Sequence, residues 1–273
     1  MKKPNSMRHL DDAIRRMSGN SPEGYVRTRT VMANAIVASM LPDGVIKGGS
    51  ALKMRFGNES SRFTTDLDTA TATDPDLYAE RLNRALKAGW EGFSGRVVAR
   101  EPASPDGIPA EYVMQPYDVK LAYLGKPWCT VPLEVGHNEI GDADAIDWAE
   151  LSDAAALFEK LGFPSPGKAP LMPLTHQIAQ KLHAATSIGD RARDLVDLQL
   201  IALNCEVDYE ATRETCVRLF AYRKSQAWPP TVVEQAGWDA LYAEQASGLP
   251  VSQSLGEAIG WANSFISRID KAK

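Results

Sequence analysis

Cysteine and histidine are scarce in this 273-residue chain, and long apolar runs are missing. Cys129, Cys205 and Cys216 are odd in number and far apart. They show neither zinc nor redox spacing, which excludes a disulfide framework and leads us to expect reduced thiols in a cytoplasmic protein. His9, His137, His176 and His183 likewise fall in no catalytic or zinc-ligating spacing. No stretch approaches the roughly 20 apolar residues that cross a bilayer, so no membrane partner is expected. Met1 to Asn5 is basic but has no apolar core behind it, which argues against a signal peptide. Repeats and low-complexity tracts are absent. Positive charge is not in excess either: 30 Lys and Arg stand against 35 Asp and Glu, giving a net charge of -5. A protein that coats nucleic acid electrostatically would be basic. An enzyme that grips one end of an RNA through a local patch is still allowed.

What is present describes a globular protein of one or two domains, 44% hydrophobic and 24% charged, with a mean hydropathy of -0.27. The most informative stretch runs from Lys47-Gly48-Gly49-Ser50-Ala51-Leu52 to Arg62-Phe63-Thr64-Thr65-Asp66-Leu67-Asp68. It reads as a strand, a glycine turn, a helix beginning at Ser50, and a second strand ending in two carboxylates. Gly48 and Gly49 let the backbone bend sharply and approach a ligand closely. The free N–H groups of a helix start suit phosphate. Asp66 and Asp68, two apart on a strand, point to one face, where their repulsion invites a divalent cation with a preference for hard oxygen ligands. Alone, a Gly-Gly-Ser is usually a turn and an Asp-x-Asp a solvated strand end. In this order, with Asp66 17 residues beyond Gly49, one strand–turn–helix–strand unit brings them together.

Around this unit, residues 1–20 read as an amphipathic helix, and Ser21-Pro22-Glu23 as the start of a buried second one. Asp74-Pro75-Asp76 opens a further helix to Ala88. Trp90 to Val98 is strand-like, and Glu101 to Pro109 reads as a loop. Tyr117–Tyr123 and Cys129–Val135 read as a hairpin. Glu134 is a lone carboxylate in an apolar strand, and Asp118 is its rival for any third acidic position. The acidic residues Asp142, Asp144, Asp147, Glu150 and Asp153 read as a solvated face. The prolines Pro164, Pro166, Pro170 and Pro173 read as a linker that excludes continuous helix. The rest reads as helical, with Thr175 as an N-cap for His176 to Thr186. A second polar cluster lies there: Lys181, then Arg191, Arg193, Asp194 and Asp197. Asp194 and Asp197, three apart, share a helix face. Arg218, Arg223 and Lys224 beside Phe220, Tyr222 and Trp228 form a basic–aromatic cluster that suits a single-stranded RNA end.

The Gly-Gly-Ser and Arg-x-Thr-x-Asp-x-Asp motifs resemble the DNA polymerase β-type nucleotidyltransferase superfamily. In their local form they resemble the AbiEii/MenT toxins of type IV-like toxin–antitoxin and phage-defence pairs. The late Leu133-Glu134-Val135 strand and the Lys181…Arg193-Asp194-x-x-Asp197 block extend that resemblance over most of the chain. Asn58-Glu59-Ser60-Ser61 departs from it by being polar and loop-like. The resemblance implies an α+β fold: a nucleotidyltransferase-like mixed sheet flanked by helices over 1–145, then a helical domain over 146–273, with the boundary between 140 and 170. It implies Mg²⁺, with Mn²⁺ as an alternative, on Asp66, Asp68 and Glu134. Lys47, Gly48, Gly49, Ser50, Arg62, Thr64, Arg191 and Arg193 would hold the NTP. Lys181 would reach the triphosphate, with Asp194 and Asp197 orienting it or acting as base. The implied acceptor is the 3′ end of tRNA, and the implied partner an antitoxin. A small-molecule or protein-hydroxyl acceptor, or a nucleotide-binding module without transfer activity, is the alternative.

Overall fold

The structure, a computed structural model, describes residues 2–57, 60–102 and 113–272. Most of the expected loop over Glu101 to Pro109, and Asn58 and Glu59, lie outside the described residues. Among the described residues seven strands form one mixed sheet in the order β3-β4-β5-β2-β1-β7-β6, joined by ten helices. The α+β arrangement expected from the sequence is the one observed. The chain divides into two compact units. The first comprises Met1–Gly57, Phe63–Asn138 and Ala143–Leu171; the second comprises Asn58–Arg62, Glu139–Asp142 and Met172–Lys273.

In the first unit, helix boundaries follow local chemistry. Helix α1 (Met7–Met17) buries Leu10 and Ile14, and α2 (Pro22–Ser39) starts where the Ser21 hydroxyl accepts from the Gly24 amide. Helix α4 (Pro75–Ala88) is capped by Asp74, which accepts from the amides of Asp76 and Leu77. Each cap satisfies helix-start donors that would otherwise lack partners, worth about 1 kcal/mol. Strands β4 (Gln115–Tyr123) and β5 (Lys126–His137) form the expected hairpin around Leu124-Gly125. On one face of this pair Tyr117, Val119, Leu121, Val131, Leu133 and Val135 are buried in the core with Ile36 and Leu82 of the helices. Each large apolar side chain so buried contributes about 1.5–3 kcal/mol. The alternate positions, Asp118, Lys120, Thr130, Pro132 and Glu134, lie on the opposite face because strand side chains alternate.

Three expectations need correction. The two carboxylates do not end their strand: β2 is Leu67–Thr71, so Asp66 precedes it and Asp68 is its second residue. The proline-rich stretch is not a linker throughout. Strand β7 (Lys168–Leu171) pairs parallel with β1 (Val45–Lys47) at Ile46↔Leu171 and antiparallel with β6 (Asp147–Glu150). With α5 (Ser152–Lys160) these elements belong to the first unit, which runs to Leu171, at the end of the 140–170 bracket expected for the boundary. Pro170 is tolerated because a single register pair joins β7 to β1, so little is lost with the missing N–H. The acidic run is not wholly solvated: Asp142 is fully buried, accepting from the Glu139 amide at 2.9 Å and Gln180 Nε2 at 2.7 Å.

The second unit is helical: α6 (Leu174–Ala185), α7 (Ala192–Asn204), α8 (Tyr209–Arg223), α9 (Trp238–Ala246) and α10 (Leu255–Asp270). Its interior holds Leu182, Leu195, Leu198, Phe220, Trp238 and Phe265. Thr175 is not the cap of α6; that position is Pro173, and Leu174 is already helical. Proline's fixed φ is compatible with a helix entrance, but it supplies no side-chain capping bond. Among the described residues no helix is long and apolar enough to cross a membrane.

Candidate active site

Strand β1 runs directly into helix α3 (Gly48–Phe56), which begins two residues earlier than expected. No side chain caps this helix start. Gly48 has φ 65°, and a Cβ there would meet Asp68 Oδ2 at 2.3 Å. Glycine is therefore required twice over, by backbone and by space. The buried Ser50 hydroxyl donates to the Asp66 carbonyl oxygen, tying the helix start to the carboxylate strand. The Thr64 hydroxyl donates to Asp66 Oδ1.

Strand register gathers the rest. Lys47 on β1 is opposite Asp68 on β2, and Asp68 is beside Glu134 on β5. In-register neighbours on adjacent strands share a face, so a cation and two carboxylates lie in one row across three strands, with Asp66 two positions before Asp68. Gly136, two beyond Glu134, leaves room for the lysine: a Cβ there would be 2.8 Å from Lys47 Nζ. Glu134 is exposed. Asp118 is one strand further away, opposite Pro132, with Arg100 Nη1 at 3.8 Å and Lys120 Nζ at 3.7 Å. Among the described residues no three carboxylate, histidine or cysteine groups already stand close enough to enclose a metal ion. The donor set is nonetheless one of hard carboxylate oxygens that suits a divalent cation.

The first unit also holds a feature that sequence reasoning missed. Arg27 Cζ lies 5.2 Å and Lys53 Nζ 4.7 Å from the centre of the Phe63 ring. Burial, then the charge of Arg27, push the Lys53 ammonium down to about 8, with Asp153 opposing. Nothing in the spacing of 27, 53 and 63 foretells this, since three separate elements supply the residues.

In the second unit, Lys181, Asp194, Asp197 and Arg62 form one buried network. Arg62 forks onto Asp197, with Nε–Oδ1 at 2.9 Å and Nη2–Oδ2 at 3.0 Å. Lys181 Nζ donates to Asp197 Oδ2 at 2.5 Å and to Asp194 Oδ1 at 3.2 Å. Asp197 is 1% exposed, and Lys181 and Asp194 6% each, so Lys181 does not snorkel to water. Burial alone would raise the Asp197 pKa, but Lys181 and Arg62 more than offset it and hold it below the usual carboxylate range. Arg62, expected on the nucleotide, is found with its guanidinium on the Asp197 carboxylate. Arg191 and Arg193 are exposed at the start of α7, without an ion pair among the described residues.

The basic–aromatic cluster of α8 is largely consumed within the unit. Arg223 pairs with Glu139, Arg218 donates to the Ile140 carbonyl, Phe220 is buried, and the Trp228 indole donates to Asp270. Arg223 Nη1 also donates to His183 Nδ1 at 3.2 Å, which leaves His183 Nε2 to carry the proton toward Ser225 Oγ at 2.9 Å. Ser225 therefore accepts and is not an activated nucleophile. Burial, with Arg223 and Arg191 nearby, pushes His183 down to about 4.

A mixed sheet in which a glycine turn enters a helix start beside in-register strand carboxylates is the equipment of a nucleotidyl-transferring enzyme. The chain belongs to the AbiEii family of nucleotidyl transferase toxins, of type IV toxin–antitoxin systems, whose pattern matches residues 32–263. In fold it is similar to MenT4, a nucleotidyltransferase toxin of Mycobacterium tuberculosis H37Rv, at 17% identity and a TM-score of 0.54, over 95% of this chain and 97% of that one. JHP933 of Helicobacter pylori also matches, at 18% identity and a TM-score of 0.45, over 88% of this chain and 89% of that one. No curated protein matches in sequence. The chain is a nucleotidyltransferase toxin, and its family implies an NTP substrate and an antitoxin partner.

Proposed function

We propose that this toxin uses Mg²⁺, or Mn²⁺, to transfer a nucleotide from an NTP to the 3′ end of tRNA, blocking aminoacylation and hence translation, until its antitoxin counters it directly or indirectly. The observation that carries this reading is the row Lys47–Asp68–Glu134, with Gly48 packed against Asp68. Asp66, Asp68 and Glu134 would hold the metal, which supplies activation of the attacking hydroxyl and charge neutralisation at the leaving pyrophosphate. The register favours Glu134 over Asp118 as the third carboxylate, because Glu134 is beside Asp68 whereas Asp118 is a strand further away.

The chain's own groups do the remaining work. The amides at the uncapped start of α3, from Gly48 to Ser50, would take phosphate oxygens, where helix-start donors and dipole both favour anions. Lys47 supplies a point cation on the carboxylate face. Ser50 and Thr64 act by positioning Asp66. A general base works best with a pKa near the working pH, and Asp197 is held well below that. Its proposed role is to position Lys181 and Arg62. Lys181 gives two of its three ammonium protons to Asp194 and Asp197, and the third is the one this reading assigns to phosphate. Arg191 and Arg193 remain open to phosphate.

Incubation of the purified chain with Mg²⁺, each labelled NTP in turn and total tRNA, beside an Asp66→Ala control, tests this. Label on tRNA that is lost in the control supports the proposal and gives the base preference. Pyrophosphate release only with a different acceptor fraction would keep the metal chemistry and refute tRNA. Equal label in the control would refute the carboxylate assignment.

A further inference from the structure

We propose that the second unit carries a separate binding pocket for one nucleotide unit, with its base on Trp261 and its phosphate on Arg268. A cavity of about 340 Å³ lies among the end of α7, Tyr209 at the start of α8, the turn at Pro250, and Trp261 and Arg268 of α10. Its size is at the small end of ligand pockets and suits one nucleotide rather than a longer stretch.

The walls have two chemistries. Trp261 is stacked on Phe265, ring centres 5.0 Å apart and planes inclined at 17°, which holds the indole rigidly where it lines the cavity. Leu203 adds apolar surface and is 60% exposed. A flat, apolar, aromatic wall of this kind suits a base, and stacking on it tolerates any of the four. The second chemistry is cationic. The Arg268 guanidinium lies 5.8 Å from the Tyr209 ring and 5.5 Å from the Phe265 ring. Contact with the two ring faces localises the guanidinium, whose N–H donors can serve a bidentate phosphate. Arg268 has no ion pair among the described residues, and no carboxylate lines the cavity. In a chain of net charge -5, an uncompensated arginine beside a tryptophan is a selective place for an anion carrying an aromatic ring.

The polar groups already in use narrow the recognition further. Gln199 gives its amide hydrogens to Leu195 and Tyr242 and accepts from the Ser252 amide, so it is not free to read a base edge. The pocket should therefore prefer nucleotides over other anions without strong preference among bases. An arginine-and-aromatic pairing is thus repeated on α10, with its arginine outside any ion pair among the described residues. This pocket is independent of what the carboxylate face transfers.

The test is equilibrium binding to the Asp66→Ala protein, which removes turnover. Two probes are used: a fluorescein-labelled unstructured single-stranded RNA, and an unlabelled nucleoside monophosphate. Arg268→Glu should weaken binding about tenfold or more, and Trp261→Ala by a similar factor, whereas Trp261→Phe should retain most of it. Arg268 is exposed, so its variant is the arm least exposed to misfolding, and thermal melting of each variant verifies the fold. Arg268-sensitive binding of the monophosphate would identify a free nucleotide as the ligand; sensitivity with RNA alone would identify a nucleotide within a chain. If neither probe's affinity changes in folded Arg268→Glu and Trp261→Phe or Trp261→Ala proteins, the proposal is overturned.

Discussion

Replacing Gly48 by alanine asks whether the close approach of the glycine turn to Asp68 matters for chemistry or only for folding. Two costs can be separated. A side chain at φ 65° carries roughly 1–2 kcal/mol of backbone strain. Gly125, in the β4–β5 turn, has φ 74° with nothing within 4 Å of an added Cβ, so Gly125→Ala carries that strain alone. In Gly48→Ala the new carbon would lie 2.3 Å from Asp68 Oδ2, and ordinary contact begins at 3.4 Å. The carboxylate must therefore retreat by roughly 1 Å, a displacement that costs a reacting group about 10²-fold in rate. Urea denaturation should show a loss of about 1–2 kcal/mol for Gly125→Ala and at least that for Gly48→Ala, which adds the displacement of Asp68. Nucleotide transfer, followed as pyrophosphate release, should fall about 100-fold in Gly48→Ala and stay near wild type in Gly125→Ala. A Gly48→Ala enzyme that is destabilised like Gly125→Ala yet fully active would refute the reasoning, because Asp68 would then not need its present position.

Further expectations concern charge. Glu134→Gln should abolish transfer while Asp118→Asn leaves it largely intact; the reverse pattern would move the third carboxylate to Asp118. Asp197→Ala leaves Arg62 and Lys181 buried without their partner and should cost about 3–5 kcal/mol in denaturant titrations. Because its folded pKa is lowered, the Asp197 contribution is present above the ordinary carboxylate pKa and fades as pH falls through the folded one, so wild type and variant should converge in acid. His183 is held neutral, with its pKa pushed to about 4, so stability should fall by about 2–3 kcal/mol as pH drops from 6.5 to 4. His183→Gln should flatten that limb of the pH profile. Lys53 is charged below about 8 at a cost in burial that fades as pH rises from about 8 toward the ordinary lysine value of 10.5, so Lys53→Met should stabilise the neutral-pH protein on the order of 1–3 kcal/mol in thermal or urea unfolding.

The local features that the sequence made legible are those whose cause is local. The Ser21 and Asp74 caps, the Leu124-Gly125 hairpin and the turn at Gly48 depend on a few adjacent residues and their allowed dihedrals. Errors arose where a local signal met a tertiary one. The prolines around residue 168 signalled a linker, yet antiparallel pairing with β6 and a parallel pair with β1 draw Lys168–Leu171 into the sheet. The acidic run signalled water, yet Asp142 found Gln180 and the Glu139 amide. The aromatic and basic residues in and just after α8 signalled RNA, yet Arg223 is paired with Glu139 and the Trp228 indole donates to Asp270.

By itself the sequence determined which local groups come together: a glycine turn, a helix start and an Asp-x-Asp pair fold as one contiguous unit because a short chain segment connects them. It also announced the family, through motifs spread along most of the chain. Only tertiary structure decided which distant residue joins each group. Glu134 is placed beside Asp68 by pairing of strands 66 positions apart, Arg62 is turned onto Asp197, and Trp261 and Arg268 come to line one cavity with Tyr209. Strand register and helix packing are settled by how much apolar surface the whole fold buries, and that quantity belongs to the folded chain rather than to any window of it.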